Sequence, residues 1–435
     1  PAPGSRALPG PHPSDGMVDY GAIICRARGC MLGIFIGDAL GAGVEGWPAD
    51  EIENFAQERW KSPLVEDMFP AVHMATHVSA GEPGQYREAR WMEDVGFRAV
   101  PVGPPRTDAV AQQCAREGCY TDDTLASLAL AASLVEHGRL DANAAARSYG
   151  DFFREATPFR GCPPTAARVM QRVHEGVPIE ETGLPPHFPF AGGSFANGGA
   201  MRIAPLAIAY RDADADQLRQ AVEAATISSH RHAEAVDFAF VQAYCVQQML
   251  TDDSFYPTPP PTSGEAPETL KRHLGLLKEL AKLCTTDAMR SVISATADAL
   301  AEAKMSDNDL AAVTDLVARE KRPGSGVSFQ IASVHMAPCV LWCAFRYAAN
   351  PRRAIQAAIA IGGDTDTTAA LVGAIVGTLH GEGNWCTAWA ARLENGPRGR
   401  DYALALAEAL AHLNPPGTIG QGSFGISDSR PSPSS

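Results

Sequence analysis

The sequence predicts an all-α fold, and three observations carry that reading. Apolar residues recur at about 3.6-residue spacing in most segments. Alternating strand-like text is almost absent. The chain has 435 residues, 45% hydrophobic and 20% charged, which is ordinary globular composition and ample for a large core.

The elements follow in order. Residues 1–17 are rich in Pro, Gly and Ser and read as a disordered tail, with Met17 as the natural start. Residues 19–45 read as the first helix, with small residues frequent enough for close helix contact. Residues 48–118, with Pro, Gly and scattered His, read as an extended surface loop or insertion. Helices then dominate, at 123–137, 141–155, 163–175, 212–228, 231–250, 268–284, 286–304, 307–320, 328–349, 351–361, 367–380 and 401–412. Residues 256–267 read as a Pro-rich surface excursion, and 415–435 as a second disordered tail. No composition break splits the body, so residues 18–414 read as one domain.

The formal net charge is -14, with a pI near 5.3. Such a surface repels phosphate backbones and argues against a broad nucleic-acid patch. A local acidic site for cations is compatible with it. The ten cysteines lie largely in apolar helical text and read as reduced core residues of a cytoplasmic protein. Their spacing does not suggest zinc. No apolar run reaches the length of a membrane span, and a monomer is expected.

Two acidic stretches stand out, Thr121-Asp122-Asp123-Thr124 and Asp364-Thr365-Asp366-Thr367. The bland explanation is helix capping, worth about 1 kcal/mol per cap. Thr251-Asp252-Asp253-Ser254 has similar letters, but a proline loop follows it, and there the bland explanation holds. The helices after the other two stretches are apolar nearly all round, which implies burial. Like charges 4 Å apart repel by about 4 kcal/mol at an effective dielectric of 20, so something must offset them. Gly362 and Gly363 allow a sharp bend, after which Asp364 and Asp366 should share one side of an extended turn. An all-oxygen donor set suits Mg²⁺, with Mn²⁺ the alternative. If both stretches meet, four carboxylates balance two divalent ions.

Residues 191–206, AGGSFANGGAMRIAPL, form a Gly-rich segment before a helix. Its backbone N–H groups are suited to cradling phosphate, and Phe195 to stacking on a base; the competing explanation is a plain turn. His230, in ISSHRHAEAV, opens a helix and is suited to pointing into a pocket, with His232 as its competitor. Asp38 and Glu45 share a helical face if the first helix continues that far.

Taken together, the chain resembles the ADP-ribosylglycohydrolase family. The matching text is Gly37-Asp38-Ala39-Leu40-Gly41 with Glu45, Thr121 to Thr124, Asn197-Gly198-Gly199-Ala200-Met201-Arg202, Ser229-His230, and Gly362 to Thr367. The resemblance implies an orthogonal multi-helix bundle with a central binuclear metal site. It implies Thr121, Asp122, Asp123, Asp364, Asp366 and Thr367 as holders of two Mg²⁺ ions. It implies Gly193, Ser194, Phe195, Asn197 and Gly198 along the diphosphate and adenosine, with Asp38 and His230 also on the substrate side. In the serine-directed branch, the glutamate matching Glu45 sits over the metals and moves when substrate arrives. Against the family pattern, the chain carries insertions near 48–118 and 250–330.

The implied reaction cleaves the bond between C1″ of ADP-ribose and an acceptor, through an oxocarbenium-like state. Divalent ions would act as template and Lewis acid. Glu45, Asp122 and Asp123 are the candidate catalytic carboxylates, with Asp123 or Glu45 moving the proton. The substrate would be an ADP-ribosylated protein, serine-linked or arginine-linked, or another ADP-ribose-containing molecule. The alternative is an ADP-ribose-binding module, or a structural protein of the same fold, without turnover.

Overall fold

The computed structural model describes residues 20–69, 117–156, 160–257, 268–304 and 308–413. The two predicted tails and most of the 256–267 excursion lie outside them. The regular elements are helical: α1 (Tyr20–Gly41), α2 (Ala49–Trp60), α3 (Asp122–His137), α4 (Ala142–Glu155), α5 (Pro164–His174), α6 (Ile179–Thr182), α7 (Ala204–Ala209), α8 (Ala215–Thr226), α9 (Ala233–Thr251), α10 (Glu268–Leu283), α11 (Asp287–Glu302), α12 (Asp309–Val317), α13 (Ser333–Arg346), α14 (Pro351–Ala360), α15 (Thr365–His380), α16 (Asn384–Ala390) and α17 (Arg400–His412). Among the described residues there are isolated bridges but no strands. The all-α expectation is met.

Glycine decides how the centre packs. In α1, Gly29, Gly33, Gly37 and Gly41 recur every fourth position and form one stripe. It faces Ala369, Gly373 and Gly377 of α15. A Cβ on Gly33 would lie 1.9 Å from the Gly373 carbonyl oxygen, and one on Gly373 would lie 2.0 Å from that of Gly33. Gly29 meets Gly377, while Gly41 meets Thr365 and Asp366, so the helices run antiparallel. Small residues at this spacing let backbones touch. The C-terminal end of α1 is thereby pressed against the N-terminus of α15. One apolar cluster containing both helices extends from Ile23 to Ala411.

Several boundaries differ from expectation. The 48–118 segment opens with helix α2 rather than loop, burying Ile52 and Ala56. Its first turn carries Asp50 and Glu51 and its last turn Arg59, which suits the helix dipole. Phe55, Trp60 and Phe69 then pack together beside it. Helix α15 starts at Thr365, so Asp364 is its N-cap residue and Asp366 lies in its first turn. The extended turn expected for 364–367 is therefore helical. Helix α1 ends at Gly41, and a 3₁₀ turn, Ala42–Val44, leads to Glu45. Asp38 and Glu45 do not share one continuous α-helical face.

The comparison stretch behaves as the bland explanation requires. The Asp252 side chain accepts from the Ser254 N–H at 2.8 Å, and the exposed Asp253 pairs with Arg26. The nine described cysteines are free. Burial pushes the Cys30 thiol up to about 12.

Candidate functional site

The two acidic stretches meet. Thr121, Asp123, Asp364, Asp366 and Thr367 are all buried, and Asp122 is half-buried. The Thr367 hydroxyl donates to Asp123 Oδ2 at 3.4 Å, and the Thr121 hydroxyl to the same oxygen at 3.3 Å. Carboxylate oxygens of Glu45, Asp364 and Asp366 lie within 4.8 Å of one another.

Glycine turns set this geometry. Gly362 and Gly363 both have left-handed φ, +78° and +80°. Gly46 N–H donates to the Gly363 carbonyl at 2.7 Å, and Gly363 N–H to the Trp47 carbonyl at 2.9 Å. This short bridge fixes the chain after Glu45 beside the chain before Asp364. The α1–α15 seam does the same from below.

Burial and crowding hold the carboxylates above their ordinary range. For Asp123 burial is the largest cause, followed by the charges of Asp38, Asp122 and Asp364. Asp366 is raised by burial, then by Glu45, Asp123, Asp364 and Asp38. Asp364 is raised by burial, partly offset by the Asn197 amide. Asp123 Oδ1 is buried without a hydrogen-bond partner. An orphaned anionic oxygen among repelling carboxylates and threonine hydroxyls is a donor set that fits hard divalent cations.

Other candidates have different surroundings. Asp38 is fully buried; it accepts from the N–H groups of Thr121 and Thr124 and from the Thr124 hydroxyl at 2.5 Å. It therefore anchors the N-terminus of α3. Asn197 donates to Asp364 Oδ2 at 2.7 Å and to the Gln330 carbonyl at 3.2 Å, so its amide braces the acidic cluster. The phosphate cradle expected of the Gly-rich segment is partly spent internally. Gly193 N–H goes to Phe190, Ala196 N–H to the Ser194 hydroxyl, and Asn197 N–H to Ile331.

Gly193 has φ +80°, a conformation glycine adopts freely. Gly198 lies against His230; a Cβ there would sit 2.9 Å from His230 Nε2. Phe195 is half-buried beside Phe190 and His232, with ring centroids 5.7 and 6.0 Å away. His230 does not open helix α9. His232 is its N-cap, and His230 lies in the turn before it. Burial, then the Arg202 charge, lowers the His230 pKa well below its ordinary range.

Sequence reasoning missed Gln330. Its Oε1 accepts from Asp364 N–H at 3.0 Å, and its carbonyl holds Asn197. A Cβ on Gly363 would collide with that Oε1 at 2.6 Å. A glutamine in SFQIASVH carries no signal of its own.

A family model described as ADP-ribosylglycohydrolase matches residues 21–418. The chain belongs to the ADP-ribosylglycohydrolase family. Family members similar to it include human ADP-ribosylhydrolase ARH3, 26% identical over 377 residues, covering 82% of this chain and 86% of that protein. The Bos taurus ARH3 is 25% identical over 373 residues, with 82% and 86% covered. The Escherichia coli K12 protein YegU, uncharacterized, is 24% identical over 359 residues, with 82% and 88% covered. A solved ADP-ribosylglycohydrolase-related protein complex matches with a TM-score of 0.52 at 22% identity, over 90% of this chain and 99% of that one. That likeness shows the all-α ADP-ribosylglycohydrolase fold. Membership supports a glycohydrolase of ADP-ribose linkages. Among the described residues, no helix is long and apolar enough to cross a membrane.

Proposed function

We propose that the chain hydrolyses the bond between C1″ of ADP-ribose and its acceptor, releasing ADP-ribose from proteins modified on serine or arginine. The observation that carries the reading is the junction of the two acidic stretches at Asp123 and Thr367, with the orphaned Asp123 Oδ1 beside it. Thr121, Asp122, Asp123, Asp364, Asp366 and Thr367 would hold two divalent cations, Mg²⁺ or Mn²⁺. When bound, the ions supply a template for ribose hydroxyls and Lewis-acid polarisation.

The chain's own residues do the rest. Glu45 is half-buried beside the buried Asp364 and Asp366 and is assigned the proton from the attacking water. Asp123 is the second candidate for that proton. Phe195 offers an aromatic face to the adenine, and His230 lines the sugar pocket. Asn197, Gln330 and Asp38 keep the carboxylates in place. The body is proposed as one domain over residues 18–414, supported by the apolar cluster from Ile23 to Ala411. A cytoplasmic location is proposed on the nine free cysteines.

The test is a release assay on serine-linked, arginine-linked and polymeric ADP-ribose, with Mg²⁺ and with chelator. Mg²⁺-dependent release from a modified protein is expected. Tight ADP-ribose binding by calorimetry with no release in any arm would establish a binding module instead.

A further inference from the structure

We infer that Arg202 and Ser229 are positioning residues that fix the His230 tautomer with its proton on Nε2, making it a hydrogen-bond donor toward an oxygen of ADP-ribose. The identity of the ligand rests on the function proposed above; the tautomer does not.

Arg202 is 3% exposed. Its guanidinium lies over the Tyr149 ring, 4.1 Å from the centroid, and its Nε has no hydrogen-bond partner. Its Nη2 donates to Ser229 Oγ at 2.6 Å. Ser229 Oγ is 2.8 Å from His230 Nδ1.

Proton counting decides the direction. A guanidinium only donates, so Ser229 Oγ is the acceptor toward Arg202. The hydroxyl has one proton, and among the described residues its one other neighbour of hydrogen-bonding type is His230 Nδ1. Accepting from both sides would leave the buried hydroxyl proton unpaired, so the hydroxyl donates to Nδ1, which presents a lone pair. The ring proton falls on Nε2. That edge lies against Gly198, where a Cβ would sit 2.9 Å from Nε2, and His230 is half-buried rather than sealed. A second cation on the imidazole would be repelled by the buried Arg202, which favours the neutral ring. The sequence pairs Arg202 of NGGAMR with Ser229-His230 across 27 positions.

The test uses ¹⁵N-labelled full-length protein. Two-bond ¹H–¹⁵N ring spectra report the tautomer, with His230→Gln assigning the signals. Wild type should show the Nε2–H pattern. Ser229→Ala should shift His230 toward Nδ1–H or a mixture, and Ser229→Thr, which keeps the hydroxyl, should restore it. ADP-ribose affinity by calorimetry should fall on the order of tenfold in Ser229→Ala and recover in Ser229→Thr, the scale of one hydrogen bond. An Nδ1–H wild type, or a Ser229→Ala spectrum like wild type, overturns the inference. A wild type with the Nε2–H pattern that binds no ADP-ribose supports the relay and counts against the proposed function instead.

Discussion

The Thr367 hydroxyl lies 3.4 Å from the Asp123 carboxylate, joining positions 244 residues apart. Each sits in the first turn of a buried helix, and neither helix start needs that many acids for capping. The contact therefore marks a place where the fold accepts repulsion for another purpose.

Removing one charge there should separate stability from activity. Asp123→Asn and Asp364→Asn should each cut Mg²⁺-dependent turnover by orders of magnitude. In chelator, Asp123→Asn should melt at or above the wild-type temperature, because a buried like charge is gone. Wild type should gain about 2.7 kcal/mol at a Mg²⁺ concentration 100-fold above its Kd, and the variants much less. Calorimetric melting with and without Mg²⁺ checks this. Near-normal hydrolysis by both purified variants would remove the site from consideration.

The helix seam gives a packing prediction. Gly33→Ala would place a Cβ 1.9 Å from the Gly373 carbonyl. The helices must separate, at a cost of about 3 kcal/mol or more. Urea unfolding should show the loss. A shift under about 1 kcal/mol would mean the two backbones are less closely apposed.

His273 gives a pH prediction away from the site. It is 2% exposed, hydrogen-bonded to the Phe255 carbonyl at 3.2 Å and stacked on the Phe255 ring. Burial lowers its pKa from 6.5 to about 4, against the raising effect of the carbonyl. The unfolded chain thus binds the proton first. This contribution is complete above pH 6.5 and fades as pH falls toward 4, by about 3 kcal/mol in all. His273→Gln should show a flatter stability profile across that window. Parallel profiles for both proteins would refute it.

Arg160 and Glu394 give a coupling prediction. Arg160 donates to the Tyr120 carbonyl at 3.0 Å, Glu394 accepts from Tyr120 N–H at 3.0 Å, and the two pair with each other. They hold the residue immediately before Thr121. Arg160→Leu should destabilise by about 3 kcal/mol, since Glu394 loses its partner. The double variant with Glu394→Leu should lose less than the sum by at least about 1 kcal/mol. Both should need more Mg²⁺ for half-maximal stabilisation. Strict additivity in a double-mutant cycle would show the pair to be independent.

Much of this was legible in the chain. Long helices such as α9 and α13 carry their period openly, and Asp123 and Asp364 announced themselves by sitting before buried helices. Helix α2 was hidden because it buries Ile52 and Ala56 alone and lies between Pro48 and irregular text. Helices α6, α7 and α16 are too short to show a period. The hold of Asp38 on the start of α3 is not legible in the sequence, because its partners, Thr121 and Thr124, are more than 80 positions away. Gln330 was invisible for the same reason, since only the folded chain brings it to Asp364. Glycine repeats in α1 and α15 hinted at close contact, but not that the two helices were each other's partner.

Where Gly29 and Gly33 of α1 meet Gly373 and Gly377 of α15, main chain meets main chain with no side chain between them. An engineer seeking a more heat-tolerant protein has nothing to enlarge along that line. Improvement must come from the outer layer, for example at Lys61, whose φ of 58° would suit glycine better.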